Sequence, residues 1–367
     1  MKIYRVAVAG TGFIGVAHID ALRRLGNVDV VAICDNRNAQ EQAAKLYIPH
    51  SFDDFRQMLD TIELDAVHIC TPNHTHYEMA LYALQKGLHV VCEKPFTATV
   101  EQAQKLMEEA ERRGIRCAIN YHNRFYPMPN HLRHSIQAGE LGDVISVSGG
   151  YVQDWLLYPS DFNWRLLSTN AGQTRIVGDI GSHWMDLAQF VTGQKITAVM
   201  AEFSCVYPQR VLTHPDGTQE SVQIDTEDIA VIMYRFANGA IGNAFVTAMT
   251  AGRKNQTVLS VAGTKAAAEW NSEDSNNLWI GHRDEPNQVL TKDPSLLGDQ
   301  SRPYSSYPGG HVEGFPDAFK NHFAHFYSTL DDPSAPTEYA TFADGLNGML
   351  LCDAIYRSNQ EKRWISL

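Results

Sequence analysis

No cluster of Lys or Arg longer than a pair such as Arg112-Arg113 occurs in this chain, and 30 basic against 42 acidic residues leave a formal charge of −12. That balance argues against nucleic acid or an anionic membrane surface as partner and points to a small molecule. Long hydrophobic runs are also missing. Nothing approaches the 18 or so continuous apolar residues that span a bilayer. The N-terminal "MKIYRVAVAG" is too short an apolar run for a signal peptide and enters a Gly-rich turn instead of a cleavage site. Cysteine is scarce: six residues form no CxxC pair, and Cys34, Cys70, Cys92 and Cys117 lie at or near the ends of apolar runs. This argues against a disulfide framework or a zinc cage, and reads as reduced, buried thiols in a cytoplasmic protein. Internal repeats and low-complexity tracts are absent.

What is present is an ordinary globular composition, 44% apolar and 20% charged over 367 residues, enough for two domains. The first 120 or so residues alternate short apolar runs with amphipathic stretches of helical length. Strands are predicted near 3–9, 28–34, 66–70, 88–92 and 116–120, with helices near 13–25, 38–46, 52–60, 75–86 and 99–113. Such alternation predicts a parallel sheet covered on both faces. After residue 124 the texture becomes β-rich. Strands are predicted near 143–153, 195–206, 227–237, 240–249, 256–262 and 266–270, with "ANGA" at 237–240 as an Asn-Gly hairpin turn. Helices near 179–192, 316–331 and 342–357 would cover one face of this sheet, and 272–313 reads as a long loop. The expected fold is an α/β Rossmann domain over 1–122, followed over 123–367 by an α+β domain with an open, mostly antiparallel sheet that binds substrate and oligomerises.

"AGTGFIG" places Gly10, Gly12 and Gly15 directly after the first strand, with Phe13 and Ile14 opening the first helix. In that context the first glycine permits a tight turn, the second lets the backbone approach a pyrophosphate, and the third lets helix and strand pack closely. Asp35 ends the second strand, 20 residues after Gly15, where a carboxylate holds an adenine-ribose hydroxyl and repels a 2′-phosphate. NAD is therefore the expected cofactor. Arg37, able to hold that phosphate, keeps NADP open. A third strand runs into "HICTPNHTH", so Thr71, Pro72, Asn73 and His76 fall at a strand's carboxyl end, where open α/β sheets bind ligands. The close histidines, His74 and His76 among them, lack the Cys or carboxylate that would complete a tetrahedral metal set, and no metal is expected. "HVVCEKPF" then ends a buried-looking strand on Glu93 and Lys94, polar groups at the expected edge of chemistry.

"AGTGFIGxxH", "CTPNHTH", "CEKP" and "DIGSHWMDL", in that order, resemble the glucose-fructose oxidoreductase, inositol dehydrogenase and MocA family over nearly the whole chain. The resemblance implies sugars or cyclitols as substrates, a cis Lys94–Pro95 bond, and Lys94, Asp179 and His183 as catalytic trio. It also implies nicotinamide-site contacts from Glu93 and Lys94. The chemistry suits these types: His183 as the base for a hydroxyl proton, Lys94 to stabilise developing alkoxide charge, and Asp179 to orient substrate or imidazole. On an α-helix Asp179, His183 and Asp186 fall on one stripe. "YVQDWLLYPSDFNWR" adds Gln153, Asp154, Asn163, Trp164 and Arg165 as sugar-binding candidates, because aromatic faces and bidentate polar groups match a sugar's C–H faces and hydroxyl edges. Tyr121 and His122 in "YHNRF" join them, and His311 and Glu313 are either substrate-reaching or a plain helix start.

The combination of "QDWLxYxxDxNWR" with "DIGSHWxDL" resembles the branch of levoglucosan and glucoside 3-dehydrogenases, which implies oxidation at C3 of a glucose-type ring. Inositol dehydrogenation is the alternative. A nicotinamide-binding sensor without catalysis and an NAD-using glycosidase are further readings. The second sheet's uncovered face predicts a homodimer or homotetramer.

Overall fold

The computed structural model describes residues 2–367, less the side chains of residues 170 and 171. The chain forms two compact units: Met1–Phe125 with Phe315–Met349, and Tyr126–Gly314 with Leu350–Leu367.

In the first unit β1 (Tyr4–Ala9), β2 (Val28–Cys34), β3 (His50–Phe52), β4 (Ala66–Ile69), β5 (His89–Cys92) and β6 (Cys117–Ile119) form one sheet in the order β3-β2-β1-β4-β5-β6. Every neighbouring pair is parallel. The crossovers are α1 (Phe13–Arg23), α2 (Ala39–Lys45), α3 (Phe55–Thr61), α4 (His76–Gln85) and α5 (Val100–Arg113). Local chemistry sets their ends. Asp54 accepts from Gln57 N at 2.7 Å to start α3, and Gly114, at φ +65°, closes α5 in the left-handed conformation that favours glycine. Strands buried on both faces read as near-continuous apolar runs, so Val6–Ala9 and Val90–Cys92 are fully buried. The reversal of strand order between β1 and β4 opens a crevice at the strands' carboxyl ends. The sequence reading missed β3, a three-residue edge strand too short to show a period.

The second unit opens with α6 (Pro127–Gln137) and β7 (Val144–Val152). It continues through α7 (Ser168–Ala171), a π-helical turn over Val177–Gly181, and α8 (Ser182–Thr192). Its main sheet collects β7, β8 (Ile196–Ser204), β11 (Ile229–Phe236), β12 (Ile241–Thr247), β13 (Gln256–Gly263), β14 (Ala267–Asn271), β15 (Asn277–Gly281), β16 (Gln288–Thr291) and β17 (Ile365–Ser366). β9 (Gln209–Thr213) and β10 (Gln219–Gln223) pair separately as a hairpin. The sheet is antiparallel throughout except where β12 runs parallel to β7. Alternation is clean on β11: Ala230, Ile232, Tyr234 and Phe236 are buried, while Val231 and Met233 are exposed.

Two expectations change here. The segment 272–313 is no loop, since β15 and β16 extend the sheet within it and Lys292, buried, pairs with Glu313 at 2.6 Å to pin its far end. The β11–β12 connection is not a two-residue Asn-Gly turn: only Gly239 has positive φ, +89°, and Gly239 N donates to Phe236 O, the three-residue loop with a left-handed glycine.

The later helices are α9 (Phe315–Asp331) and α10 (Phe342–Glu361). A single cut at residue 122 does not describe the chain, because 315–349 completes the first unit. Phe319 and Phe323 of α9 pack on His18 with ring centroids 5.5 and 4.7 Å away, and Ile119 N donates to Ala340 O at 2.7 Å. Among the described residues no helix is long and apolar enough to cross a membrane.

Candidate active site

The turn after β1 has the shape the glycine spacing demands. Gly10 sits at φ +87°, and a Cβ on it would lie 2.7 Å from the Cys70 carbonyl, so the β1 and β4 ends meet too closely for any side chain. A Cβ on Gly15 would lie 1.9 Å from Gly10 O, which locks α1 against its own turn. Gly12 is the opposite case: a Cβ there meets nothing within 4 Å. It is the N-cap of α1 and supplies no side-chain cap. The first amides of this helix are thus left for a ligand, and the positive end of its dipole faces open space. Ile14 is half-buried, whereas Phe13 is 78% exposed with its ring stacked on Phe315.

Asp35 stands where expected, and the structure adds what holds it. Its Oδ2 accepts from Thr11 N and Thr11 Oγ1, both at 2.7 Å, and its Oδ1 accepts from Arg37 N at 2.9 Å. One acceptor place on Oδ1 stays available for a ribose hydroxyl. Arg37 is exposed beside it. An uncapped helix start, an open Cβ position at Gly12 and a carboxylate held at the end of β2 together fit a dinucleotide, with the pyrophosphate at the α1 amides and the ribose at Asp35.

At the end of β4, Thr71 and Pro72 lead into a short turn, Asn73–Thr75, in which Asn73 is buried. His76, the expected cofactor contact, is engaged by backbone on both sides. It is buried, with Nε2 2.8 Å from Thr71 O and Nδ1 3.0 Å from Pro95 O, so the ring braces the two loops against each other. His74 is exposed and does not converge with it. Lys94 follows β5, half-exposed, and its bond to Pro95 is cis, as the resemblance implied. Glu93 is buried. Burial alone would raise its carboxyl, but hydrogen bonds from His18 and Asn120 and the nearby His18 and Lys94 charges bring it down to about 2.

Tyr121 and His122, the substrate-binding candidates after β6, are both buried. Tyr121 is 2% exposed and belongs to the hydrophobic core of the first unit. His122 is buried against Phe315 and Phe319, at 5.0 and 4.5 Å between ring centroids, and burial pushes its imidazole down to about 3. Both follow β6, but the turn His122–Phe125 tucks them inward.

In the second unit Asp179 lies on the π-helical turn and His183 in the first turn of α8, so the two are not on one regular α-helix as expected. π-turns of this kind recur at functional sites. The start of this turn is held by Glu227, whose carboxylate accepts from Arg175 N at 2.9 Å and Val177 N at 3.0 Å. Asp179 lies 3.9 Å from Arg165 Nε, and Arg165 in turn lies over the Trp164 ring at 4.4 Å. His183 is buried, with the Tyr151 ring 6.1 Å from its own, and Asp186 is buried further along α8. Burial, with Asp179 nearby, pushes the Tyr151 phenol up.

The predicted sugar-binding stretch is ordered by its own hydrogen bonds. Asn163 accepts from Arg165 N at 3.1 Å, Gln153 bridges Trp155 and Asn255 at 2.7 Å each, and Tyr151 donates to Asn255 at 2.6 Å. Asp154 is taken by Lys254 at 2.7 Å, so its carboxylate faces a lysine that the sequence did not nominate. Asn255 and Lys254 escaped the sequence reading because the loop before β13 meets β7 only through the sheet. Glu313 is buried with Lys292 and does not extend to a ligand surface, while His311 is exposed.

The family model described as an oxidoreductase family with an NAD-binding Rossmann fold matches residues 4–121, and the Gfo/Idh/MocA C-terminal domain matches 130–269. Levoglucosan dehydrogenase of Pseudarthrobacter phenanthrenivorans is 28% identical, over 100% of this chain and 99% of that protein. D-glucoside 3-dehydrogenase of Escherichia coli is also 28% identical, over 85% and 88%. The solved structure of levoglucosan dehydrogenase in complex with NADH and L-sorbose superposes with a TM-score of 0.92 at 26% identity, covering 100% of this chain and 99% of that one. With the glycine turn, the uncapped α1 and the cis Lys94–Pro95 motif in place, the chain belongs to the glucose-fructose oxidoreductase, inositol dehydrogenase and MocA family of NAD-binding oxidoreductases.

Proposed function

We propose that this protein is an NAD-dependent dehydrogenase that oxidises a secondary alcohol of a sugar or glycoside, at C3 of a glucose-type ring, with Lys94, Asp179 and His183 as its reacting side chains. The observation that carries the reading lies within one sheet. Lys94 follows β5 at the same carboxyl edge as the glycine turn after β1 and Thr71 after β4, next to the crevice where the strand order reverses. NAD, when bound, supplies the hydride acceptor. His183 takes the hydroxyl proton, Lys94 donates a hydrogen bond to the same oxygen as negative charge develops, and Asp179 orients the substrate. The Tyr151, Gln153, Asn163, Trp164 and Arg165 group offers ring faces and donors suited to a sugar. The C3 position draws its support from relatives named as levoglucosan and glucoside 3-dehydrogenases.

The test is NADH formation with levoglucosan, methyl glucosides, glucose, myo-inositol and scyllo-inositol, on wild type and Lys94→Ala. Activity on a glucoside that the substitution abolishes supports the proposal. Activity confined to inositols moves the substrate and leaves the mechanism, and NAD binding without turnover on any of them favours a sensor.

The exposed face of the second sheet carries Ile145, Val231, Met233, Ile241 and Phe245, each more than 40% exposed. A face of that character is covered by a second copy of the chain in this proposal, giving a homodimer or homotetramer. Six free cysteines, four of them buried, suit a reducing cytoplasm.

A further inference from the structure

Beneath Lys94 lies a buried polar chain that no step of the reaction uses. His18 Nε2 is 3.0 Å from Glu93 Oε1, His18 Nδ1 is 2.8 Å from His68 Nδ1, and His68 Nε2 is 3.0 Å from the Tyr327 hydroxyl. Asn120 Nδ2 donates to the same Glu93 oxygen, and Asn120 Oδ1 is 2.9 Å from His322 Nδ1. His18, His68 and His322 are fully buried, and Tyr327 and Asn120 nearly so. The chain joins α1, β4, the ends of β5 and β6, and α9.

With His18 neutral the donor inventory allows one arrangement of protons, whereas a charged His18 would donate from both nitrogens and leave His68 accepting at Nδ1. Glu93 as a carboxylate only accepts, so His18 carries its proton on Nε2 and must accept at Nδ1. His68 therefore donates from Nδ1 and accepts at Nε2, and Tyr327 donates to it. An Asn120 turned the other way would aim its oxygen at the carboxylate, so His322 donates from Nδ1. Lys94 N is a further donor to Glu93, at 3.3 Å to Oε2. Three N–H groups thus converge on one side chain, and an amide there would face at least one donor with another.

Two other uses fail. A metal ion does not fit between ring nitrogens 2.8 Å apart, since each zinc–nitrogen bond is about 2.0 Å long and ligands spread around the ion. A proton relay would protonate a carboxylate that its donors hold down and leave a buried phenolate whose acid burial pushes well up, so both ends of the transfer run uphill.

We propose that His18 and Asn120 are positioning residues for Lys94: fed by the one-way chain from Tyr327 and His68, they clamp Glu93 as a buried acceptor, and Glu93 fixes the Lys94 backbone relative to the helix that opens the dinucleotide site. Lys94 as a reacting group rests on the function proposed above; the clamp itself does not. His18 lies two turns into the helix whose first amides face the open space at Gly12. A slack clamp leaves the cofactor's seat intact and lets the lysine drift, and a displacement of about 1 Å at a reacting group is enough for roughly a hundredfold loss of rate.

The test uses the full chain with ring-labelled histidine, and the variants His18→Gln, His18→Asn and His18→Leu. Glutamine places an N–H where the imidazole Nε2 stands, asparagine only where Nδ1 stands, and leucine fills space without either. Nitrogen NMR is expected to show His18 protonated on Nε2, and His68 and His322 on Nδ1. Hydrogen exchange at the Lys94 amide is expected to stay slow in wild type and His18→Gln and to speed up at least about tenfold in the other two. On a glucoside substrate, kcat falls about 10- to 100-fold for His18→Asn and His18→Leu and stays within about threefold for His18→Gln, with NAD affinity unchanged in all three. Protonation of His68 on Nε2, or equal behaviour of glutamine and leucine in the exchange experiment, overturns the clamp. Absence of sugar turnover in wild type refutes the proposed substrate instead, and the two NMR readouts still decide the clamp.

Discussion

Replacing Gly12 by alanine separates cofactor binding from folding. Gly12 adopts φ −67° and ψ −171°, extended backbone open to any residue, and the added methyl meets nothing within 4 Å. Folding is therefore little changed, because the loss of glycine's freedom in the unfolded chain, about 0.4–1 kcal/mol, is offset by alanine's poorer fit at the N-cap. The methyl stands in the space through which a pyrophosphate reaches the α1 amides. Wild type with NADH at a hundred times its Kd gains about 2.7 kcal/mol against unfolding. A variant bound a hundredfold more weakly gains about 0.4 kcal/mol at the same concentration. Thermal or denaturant unfolding with and without NADH reads both numbers. Gly15→Ala is the control with the opposite signature: its methyl would lie 1.9 Å from Gly10 O, so backbone must shift, and apo stability falls by about 1–3 kcal/mol. A Gly12→Ala protein that folds well and responds to NADH as wild type does would refute the reading of the α1 N-terminus as the cofactor seat.

Asp35→Ser removes the carboxylate that repels a 2′-phosphate and leaves Arg37 beside the site, so the ratio of NADP to NAD affinity should rise; competition titrations that show no rise would separate Asp35 from cofactor choice. His122 is held down to about 3, far below its unfolded value near 6.5, so the unfolded state binds the proton first and stability is lost as pH falls from about 6.5 toward 3. His122→Phe should flatten that part of the acid-unfolding curve. Glu93, held at about 2, adds stability that is complete above about pH 4.5 and lost as pH falls toward 2, and Glu93→Gln should abolish that second limb while weakening the fold at neutral pH. Met233→Glu with Ile241→Glu places two charges on the exposed sheet face, and light scattering should report monomer where wild type is oligomeric; a wild-type monomer at micromolar concentration would end the oligomer proposal.

The sequence by itself determined the elements whose cause is local. The parallel sheet follows from apolar runs alternating with amphipathic stretches, the cofactor turn from glycines that close backbone packing requires at 10 and 15 and an approaching pyrophosphate at 12, and the position of Lys94 from a strand that runs into Glu-Lys-Pro. These signals survive because each depends on residues close together in the chain. Tertiary structure decided the rest. That α9 completes the first unit, that Glu93 is clamped from below, and that Asp154 faces Lys254 are pairings across tens to hundreds of residues, with no periodicity to announce them. His76, Tyr121 and His122 follow strand ends, where site residues are expected, and their burial was not legible there; how much of such a side chain a ligand can reach depends on the turn that carries it and on what packs above it. In the second unit, Asp179 and His183 were legible as a pair, but the π-helical turn that sets their relation is held by Glu227, which lies on a different stretch of chain. Short-range chemistry is written in neighbouring residues, whereas the orientation of a buried polar group is settled only when distant donors and acceptors meet in the folded chain.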